Sequence, residues 1–201
     1  MKAPFGVILA GGRATRMGGG DKGLLPLGRK SIVEHVIERL SPQVTDLALN
    51  ANGDPARFAG LGIPILPDSI GGYVGPLAGV LAGLDWAAER GGDAIVTAAA
   101  DTPFFPADLV PVLLSAAEKE NKPIALARTA NGRHPTFGLW PVALRDDLRA
   151  ALNDGLRKVV LWTDRHGTAM ADFPTGAFDP FFNVNTPEDL EQARRHLEDA
   201  L

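Results

Sequence analysis

The feature that most restricts the fold is the run Phe5-Gly6-Val7-Ile8-Leu9, which contains no polar residue and is bounded by Pro4 and a cluster of glycines. A strand with one wet face alternates apolar and polar residues, so an unbroken apolar run reads as a strand covered on both faces, the setting of a parallel sheet between helices. Residues 47–49, 63–66 and 94–97 repeat the pattern, and helical signals fall between them. Ser31-Ile32-Val33-Glu34 has the form of a capping box, and Ile32, Val33, Val36, Ile37 and Leu40 follow at helical spacing until Pro42. Asp54-Pro55 predicts a small helix, Gly75-Pro76 opens one carrying Leu77, Val80, Leu81 and Leu84, and residues 106–118 are helical by period. Strands alternating with helices imply parallel strands joined by right-handed crossovers, a three-layer α/β sheet whose ligands lie beyond the strands' carboxyl ends. The glycine cluster at Gly11 and the acidic residue Asp101 both fall there. Farther on, Asn131-Gly132 is a turn signal with residues 135–140 as its returning antiparallel strand, and Thr186-Pro187-Glu188-Asp189 caps a last helix.

Chain length and composition narrow the class. The 201 residues suffice for one domain, expected over 1–201, and 45% hydrophobic with 22% charged residues is ordinary for a globular chain. A net charge of -4 speaks against nucleic acid or an anionic membrane as partner and leaves room for a small phosphate on a local basic loop. With no cysteine, disulfides, thiolate metal sites and cysteine nucleophiles are excluded. The first apolar run is too short for a signal core and no segment reaches membrane-spanning length, so a cytoplasmic protein is expected.

The segment from Gly11 to Gly20 holds five glycines with Arg13 and Arg16, and Lys22 follows. Glycine lets backbone N–H groups approach an anion closely, and the cations complete a polyphosphate cradle. A Walker A loop is ruled out because Lys22 precedes Gly23 rather than Ser or Thr, and the Gly18-to-Gly23 match to the dinucleotide fingerprint lies too far past the strand. Asp101, at a strand end, can give one carboxylate to Mg²⁺, which fills its remaining positions with phosphate and water. Asn185 sits in Asn183-Val184-Asn185, which reads equally as a capping turn. The four histidines have no metal-ligand spacing, and only His134, beside Arg133 and the turn, has a case as a contact for an acidic substrate. Trp86, Trp140 and Trp162 read as core anchors.

From Leu9-Ala10-Gly11-Gly12 through Arg16-Met17-Gly18 to Asp21-Lys22, the chain resembles the nucleotidyltransferases that activate small molecules, in particular the molybdenum cofactor guanylyltransferases. The likeness continues in register through Asn50-Ala51-Asn52, Pro67-Asp68, Gly75-Pro76-Leu77-Ala78-Gly79, Asp101-Thr102-Pro103, Arg133-His134-Pro135-Thr136 and Asn183-Val184-Asn185-Thr186-Pro187. Many relatives have Cys or Gly before the aspartate; Ala100 here means that a thiol is not essential to the chemistry.

The resemblance implies a Rossmann-like nucleotidyltransferase sheet, mostly parallel with some antiparallel strands in the C-terminal part, and transfer of GMP from GTP to the terminal phosphate of the molybdopterin cofactor with release of pyrophosphate. It implies Mg²⁺ on Asp101, catalytic roles for Arg16, Lys22 and Asp101, and nucleotide contacts from Leu9, Ala10, Gly11, Gly12, Gly18, Lys22, Asn50, Asp68 and Asp101, with Asn183 and Asn185 close to metal or phosphate. Transient contacts with proteins that deliver or accept the labile cofactor belong to the same expectation. A molybdopterin cytidylyltransferase or another small-molecule nucleotidyltransferase is the alternative. Relatives using CTP more often carry Leu-Ala-Ala-Gly where this chain has Leu9-Ala10-Gly11-Gly12. A non-catalytic nucleotide binder is the third reading, distinguished by binding without pyrophosphate release.

Overall fold

Along the first strand Val7 and Leu9 face one layer of helices and Ile8 the other, and none of the three is more than 8% exposed. The period-two reversal of a strand thus serves two cores at once. The computed structural model describes residues 3–11, 21–72, 75–176 and 178–199. In chain order the elements are β1 (Phe5–Leu9), β2 (Pro26–Leu27), β3 (Lys30–Ser31), α1 (Ile32–Leu40), β4 (Leu47–Asn50), β5 (Ile65–Leu66), α2 (Pro76–Glu89), β6 (Ala94–Ala99), α3 (Leu109–Glu120), β7 (Ile124–Thr129), β8 (Gly132–Pro141), α4 (Arg145–Asn153), α5 (Val159–His166), β9 (Thr168–Asp172) and α6 (Pro187–Asp199). Short 3₁₀ turns at Lys22–Leu24 and Pro55–Leu61 matter for the site.

Seven strands form one sheet in the order β5-β4-β1-β6-β8-β7-β9, and only β8 runs against the others. On one face α1 and α3 cover Ile8, Leu49, Val96 and Ala127, and on the other α2, α4 and α5 cover Val7, Leu9, Ile95 and Leu126. The three tryptophans are core anchors, at 4%, 0% and 0% exposed, and Trp140 satisfies its indole N–H on the buried Thr97 hydroxyl at 2.9 Å. The small β2–β3 hairpin forms a third cluster with α6 through Leu27, Ile32, Val184, Leu190 and Ala193.

Local signals account for the element ends. At the start of α1 the Ser31 backbone N–H and hydroxyl both donate to Glu34 Oε2 at 2.6 Å. At α6 the Asp189 N–H donates to Thr186 Oγ1 at 3.1 Å, while Asp189 Oδ2 accepts from the N–H groups of Thr186 and Asn185 at 2.9 Å. Three boundaries differ from expectation. The 63–66 strand shrinks to Ile65–Leu66, preceded by Pro64, which has no N–H to give a ladder. The helix expected from 106 begins at Leu109. The β7–β8 turn lies at Ala130-Asn131, one residue early, because Gly132 with φ of 125° already pairs with Thr129. The β7–β8 register slips after Leu126, where Pro135 in the facing strand again lacks a donor.

Candidate active site

The sheet order fixes where a ligand can lie. The chain leaves β1 for β4 on one side and leaves β6 toward β7 on the other, so the connections part at the carboxyl ends of these two strands, which themselves stay paired through Leu9 and Ala99, and this is the switch point at which open α/β sheets bind ligands. A cleft of about 110 Å³ opens there. Its floor is Leu9, Ala10 and Gly11 leaving β1 and Ala100 and Asp101 leaving β6; Asp21, Lys22 and Gly23 form one wall, with Val33 and Phe58 beside them.

Lys22 reaches this cleft because the 3₁₀ turn Lys22–Leu24 packs tightly on the strand tips. A Cβ on Gly23 would lie 3.3 Å from Val33 Cβ and 3.4 Å from the Ala100 carbonyl oxygen, so the turn has little room for a side chain there. The Lys22 ammonium donates to Asn185 Oδ1 at 2.8 Å. An ammonium has three N–H groups, so this contact orients the charge without exhausting its capacity for a phosphate. The contact uses one of the two lone pairs of Asn185 Oδ1, which keeps capacity for a second partner.

Asp101 is half-buried, and burial holds its carboxyl above the ordinary carboxylate range; the Thr102 hydroxyl and the Lys22 charge oppose that shift without cancelling it. Its Oδ1 lies 3.2 Å from Thr102 Oγ1. Partly desolvated and, among the described residues, without a bidentate partner, this carboxylate is well suited to a hard cation. Among the described residues no group of three or more His, Asp or Glu gathers into a cage. One carboxylate with oxygen neighbours fits Mg²⁺, which takes few protein ligands and keeps phosphate and water, and does not fit a caged Zn²⁺ or Ca²⁺.

On the β4 side, the side chains of Asn50, Asn52 and Asp68 form a closed network. Asn50 Nδ2 donates to Asp68 Oδ1 at 2.9 Å and to the Leu66 carbonyl at 3.1 Å; Asn52 Nδ2 donates to Asp68 Oδ2 at 2.7 Å, and the Asp68 N–H returns to Asn52 Oδ1 at 2.9 Å. Both carboxylate oxygens are thereby aimed, each retaining capacity for another donor. Asn50 is 2% exposed, and a Cβ built on Gly11 would come 3.6 Å from its Oδ1, so the network adjoins the cleft. A Cβ on Gly79 of α2 would fall 2.2 Å from the same oxygen, which is why this helix needs glycine there. Arg57 ties the two walls together, pairing through Nε with Asp21 Oδ2 at 2.6 Å and donating through Nη2 to the Asn52 carbonyl at 2.5 Å.

The structure therefore brings together Leu9, Ala10, Gly11, Lys22 and Asp101 around the cleft, with Asn50 and Asp68 adjoining it. Asn185 joins through Lys22, and Asn183 through Thr102 Oγ1, 2.5 Å from its Oδ1. Gly12, Arg16 and Gly18, like Arg13, lie outside the described residues. His134 departs from expectation. Its Nε2 is 2.9 Å from Thr129 Oγ1, its ring stacks on Phe181 at 4.4 Å, and burial lowers its pKa against the pull of Asp179. A neutral, stacked imidazole does not supply the charge with which an acidic substrate would be held. The roles of Asn52, Gly79 and Arg57 were not assigned from sequence. The two-residue spacing of Asn50 and Asn52 at a strand end was a usable signal for the first, and nothing local marks Arg57.

Comparison with known proteins agrees with this geometry. The family described as MobA-like NTP transferase domain matches residues 6–168. The molybdenum cofactor guanylyltransferase of Mesorhizobium japonicum is 50% identical over 198 residues, covering 96% of this chain and 95% of the relative. The protein of that name from Cereibacter sphaeroides is 53% identical over 193 residues, covering 96% of each. Among solved structures, molybdopterin-guanine dinucleotide biosynthesis protein A from Archaeoglobus fulgidus superposes with a TM-score of 0.71 at 25% identity over 97% of this chain and 99% of that one. CMP:2-keto-3-deoxy-manno-octonic acid synthetase, solved with CTP, reaches a TM-score of 0.74 with 100% coverage of both chains at 13% identity, a likeness of fold alone. With half its residues shared along almost its whole length, the chain belongs to the molybdenum cofactor guanylyltransferase family of MobA-like nucleotidyltransferases.

Proposed function

We propose that this chain transfers GMP from GTP to the terminal phosphate of the molybdopterin cofactor, and that Lys22, Asp101 and the base-side network of Asn50 and Asp68 carry the reaction. The single observation that carries the site assignment is the meeting of Lys22 and Asp101 at the carboxyl ends of β1 and β6. A phosphate oxygen of the acceptor forms a bond to the α-phosphorus of GTP while the bond from that phosphorus to the bridging oxygen breaks, and the electron pair leaves with pyrophosphate. The acceptor phosphate is already anionic, so no side chain has to remove a proton. Catalysis then reduces to alignment and charge neutralisation.

Two anions must meet in this step, and the Lys22 ammonium offsets their repulsion. Asp101 and its oxygen neighbours would hold Mg²⁺, which when bound withdraws charge from the triphosphate. Asn50 and Asp68 would face the base: guanine offers N1 and N2 protons that cytosine lacks, and a carboxylate backed by two amides can accept them. No helix among the described residues is long and apolar enough to cross a membrane.

The test is pyrophosphate release by the purified chain with molybdopterin cofactor, Mg²⁺ and GTP, CTP or ATP in turn. Selective release with GTP, with the guanine dinucleotide as product and loss of the Mg²⁺ response in Asp101→Ala, supports the reading. Preference for CTP would make it a cytidylyltransferase. Nucleotide binding with no pyrophosphate release from any of the three would make it a binder.

A further inference from the structure

We infer that Thr102 is a positioning residue, its hydroxyl fixing the segment 183–185 against the strand tip that carries Asp101. Thr102 is 0% exposed, yet its Oγ1 touches two side chains of the site, Asn183 Oδ1 at 2.5 Å and Asp101 Oδ1 at 3.2 Å. A hydroxyl has one proton, and here it faces both acceptors, the nearer Asn183 Oδ1 taking the larger share. The remaining contact places a buried polar atom alongside the carboxylate.

Two further bonds fasten the same segment. The Val184 N–H donates to the Asp101 carbonyl at 2.8 Å, and Asn185 Oδ1 accepts from Lys22 at 2.8 Å. Residues 183, 184 and 185 therefore each hold a different part of the site: Thr102, the Asp101 backbone and Lys22. Of the three ties only that of Thr102 involves a side chain with no charge and no access to substrate, so its part is geometric. With Asn183 Oδ1 committed to Thr102, the Asn183 amide presents its N–H groups outward, a donor arrangement suited to phosphate oxygens. Loss of the hydroxyl leaves Asn183 free to turn and Asp101 without its side-chain donor, while the base-side network of Asn50 and Asp68 is untouched.

This inference rests on Asp101 as the metal-holding carboxylate, and its test is a set of variants compared with the parent. Thr102→Val keeps shape and removes the hydroxyl; Thr102→Ser keeps the hydroxyl. The readouts are kcat, KM for GTP, and the Mg²⁺ concentration that half-saturates the GTP-dependent rise in melting temperature, the last obtained without turnover. Misplacement of reacting groups by about an ångström costs up to ~10²-fold, so Thr102→Val is expected to lose at least about tenfold in kcat. It is also expected to need several-fold more Mg²⁺, with KM for GTP within about threefold of the parent and Thr102→Ser restored to near-parent values. If Thr102 acts through Asn183, the double variant Thr102→Val with Asn183→Ala is no worse than the worse of the two single variants. A Thr102→Val protein with parent kcat and Mg²⁺ response would overturn the inference, as would a Thr102→Ser protein equally impaired or losses that multiply in the double variant. Failure of the guanylyl-transfer reading shows separately, in the parent, as absence of Mg²⁺-dependent pyrophosphate release.

Discussion

Gly79→Ala tests whether the fit between α2 and the base-side network matters for nucleotide binding. The added methyl would fall 2.2 Å from Asn50 Oδ1 and 2.8 Å from both Asn50 Cγ and Leu9 Cδ2, distances that real carbons do not adopt. Overpacking of this kind costs about 1–3 kcal/mol. Displacing Asn50 also breaks its bonds to Leu66 and Asp68, at about 0.5–1.5 kcal/mol each. The better helix propensity of alanine returns up to about 1 kcal/mol. A net loss of about 3 kcal/mol corresponds to a fall of about 6–12 °C in melting temperature for a chain of this size. Gly83→Ala is the control. One turn along the same helix, its methyl would meet Val7 Cγ2 at 2.7 Å and Ile95 Cδ1 at 2.9 Å, a similar clash without contact to Asn50. In a thermal-shift assay GTP with Mg²⁺ at about a hundred times its Kd adds about 2.7 kcal/mol to the parent. Gly83→Ala should melt early and keep that increment; Gly79→Ala should melt early and lose most of it. Equal GTP increments in the two variants would refute the claim that Asn50 is held for the nucleotide by the missing side chain at position 79.

Two further outcomes follow from the geometry. Lys22→Ala should lower the rate of pyrophosphate release by ~10²-fold or more, the scale for losing one electrostatic donor, with a melting temperature close to that of the parent; a near-normal rate would remove Lys22 from the mechanism. His134→Gln should change the pH dependence of stability. Because burial sets the folded His134 pKa below its ordinary 6.5, the imidazole is neutral in both states at high pH, and the unfolded chain takes up the proton first as pH falls. The parent therefore loses stability below about pH 6.5 that the glutamine variant keeps, and the difference in melting temperature should move in the variant's favour between pH 7.5 and 5. A pH-independent difference would show that burial does not control this histidine.

The elements legible in the sequence are those whose local chemistry and tertiary role agree. The run at β1, the Ser31–Glu34 box and the Thr186–Asp189 cap each state both an element and its end, and all are present. The missed elements speak faintly. In α4 only Leu148 and Leu152 are buried, a one-residue-wide stripe among charges, and β9 turns inward only the small Ala169 and Ala171. The hairpin of β2 and β3 has two residues a side, too short for any period, and is held by α6 from the far end of the chain. The site divides in the same way. Asp101 stood out because an acidic residue followed an apolar run, and Asn50 and Asp68 entered only through the resemblance, whereas Arg57 and Thr102 act through partners 36 and 81 residues away in sequence, Asp21 and Asn183, and no window of sequence joins them.

The switch point between β1 and β6 has an evolutionary corollary. Under the proposed function, the groups that would face the nucleobase among the described residues, Asn50 and Asp68, hang from β4 and the segment after β5, while those that would handle the triphosphate hang from β6, the 3₁₀ turn at Lys22 and the segment before α6. The two sets share a crevice but hardly any side chains. Selection could therefore retune the letter being read by altering a few residues on one bank while leaving the reactive machinery on the other bank intact, and a single scaffold could diversify into enzymes that spend different nucleotides.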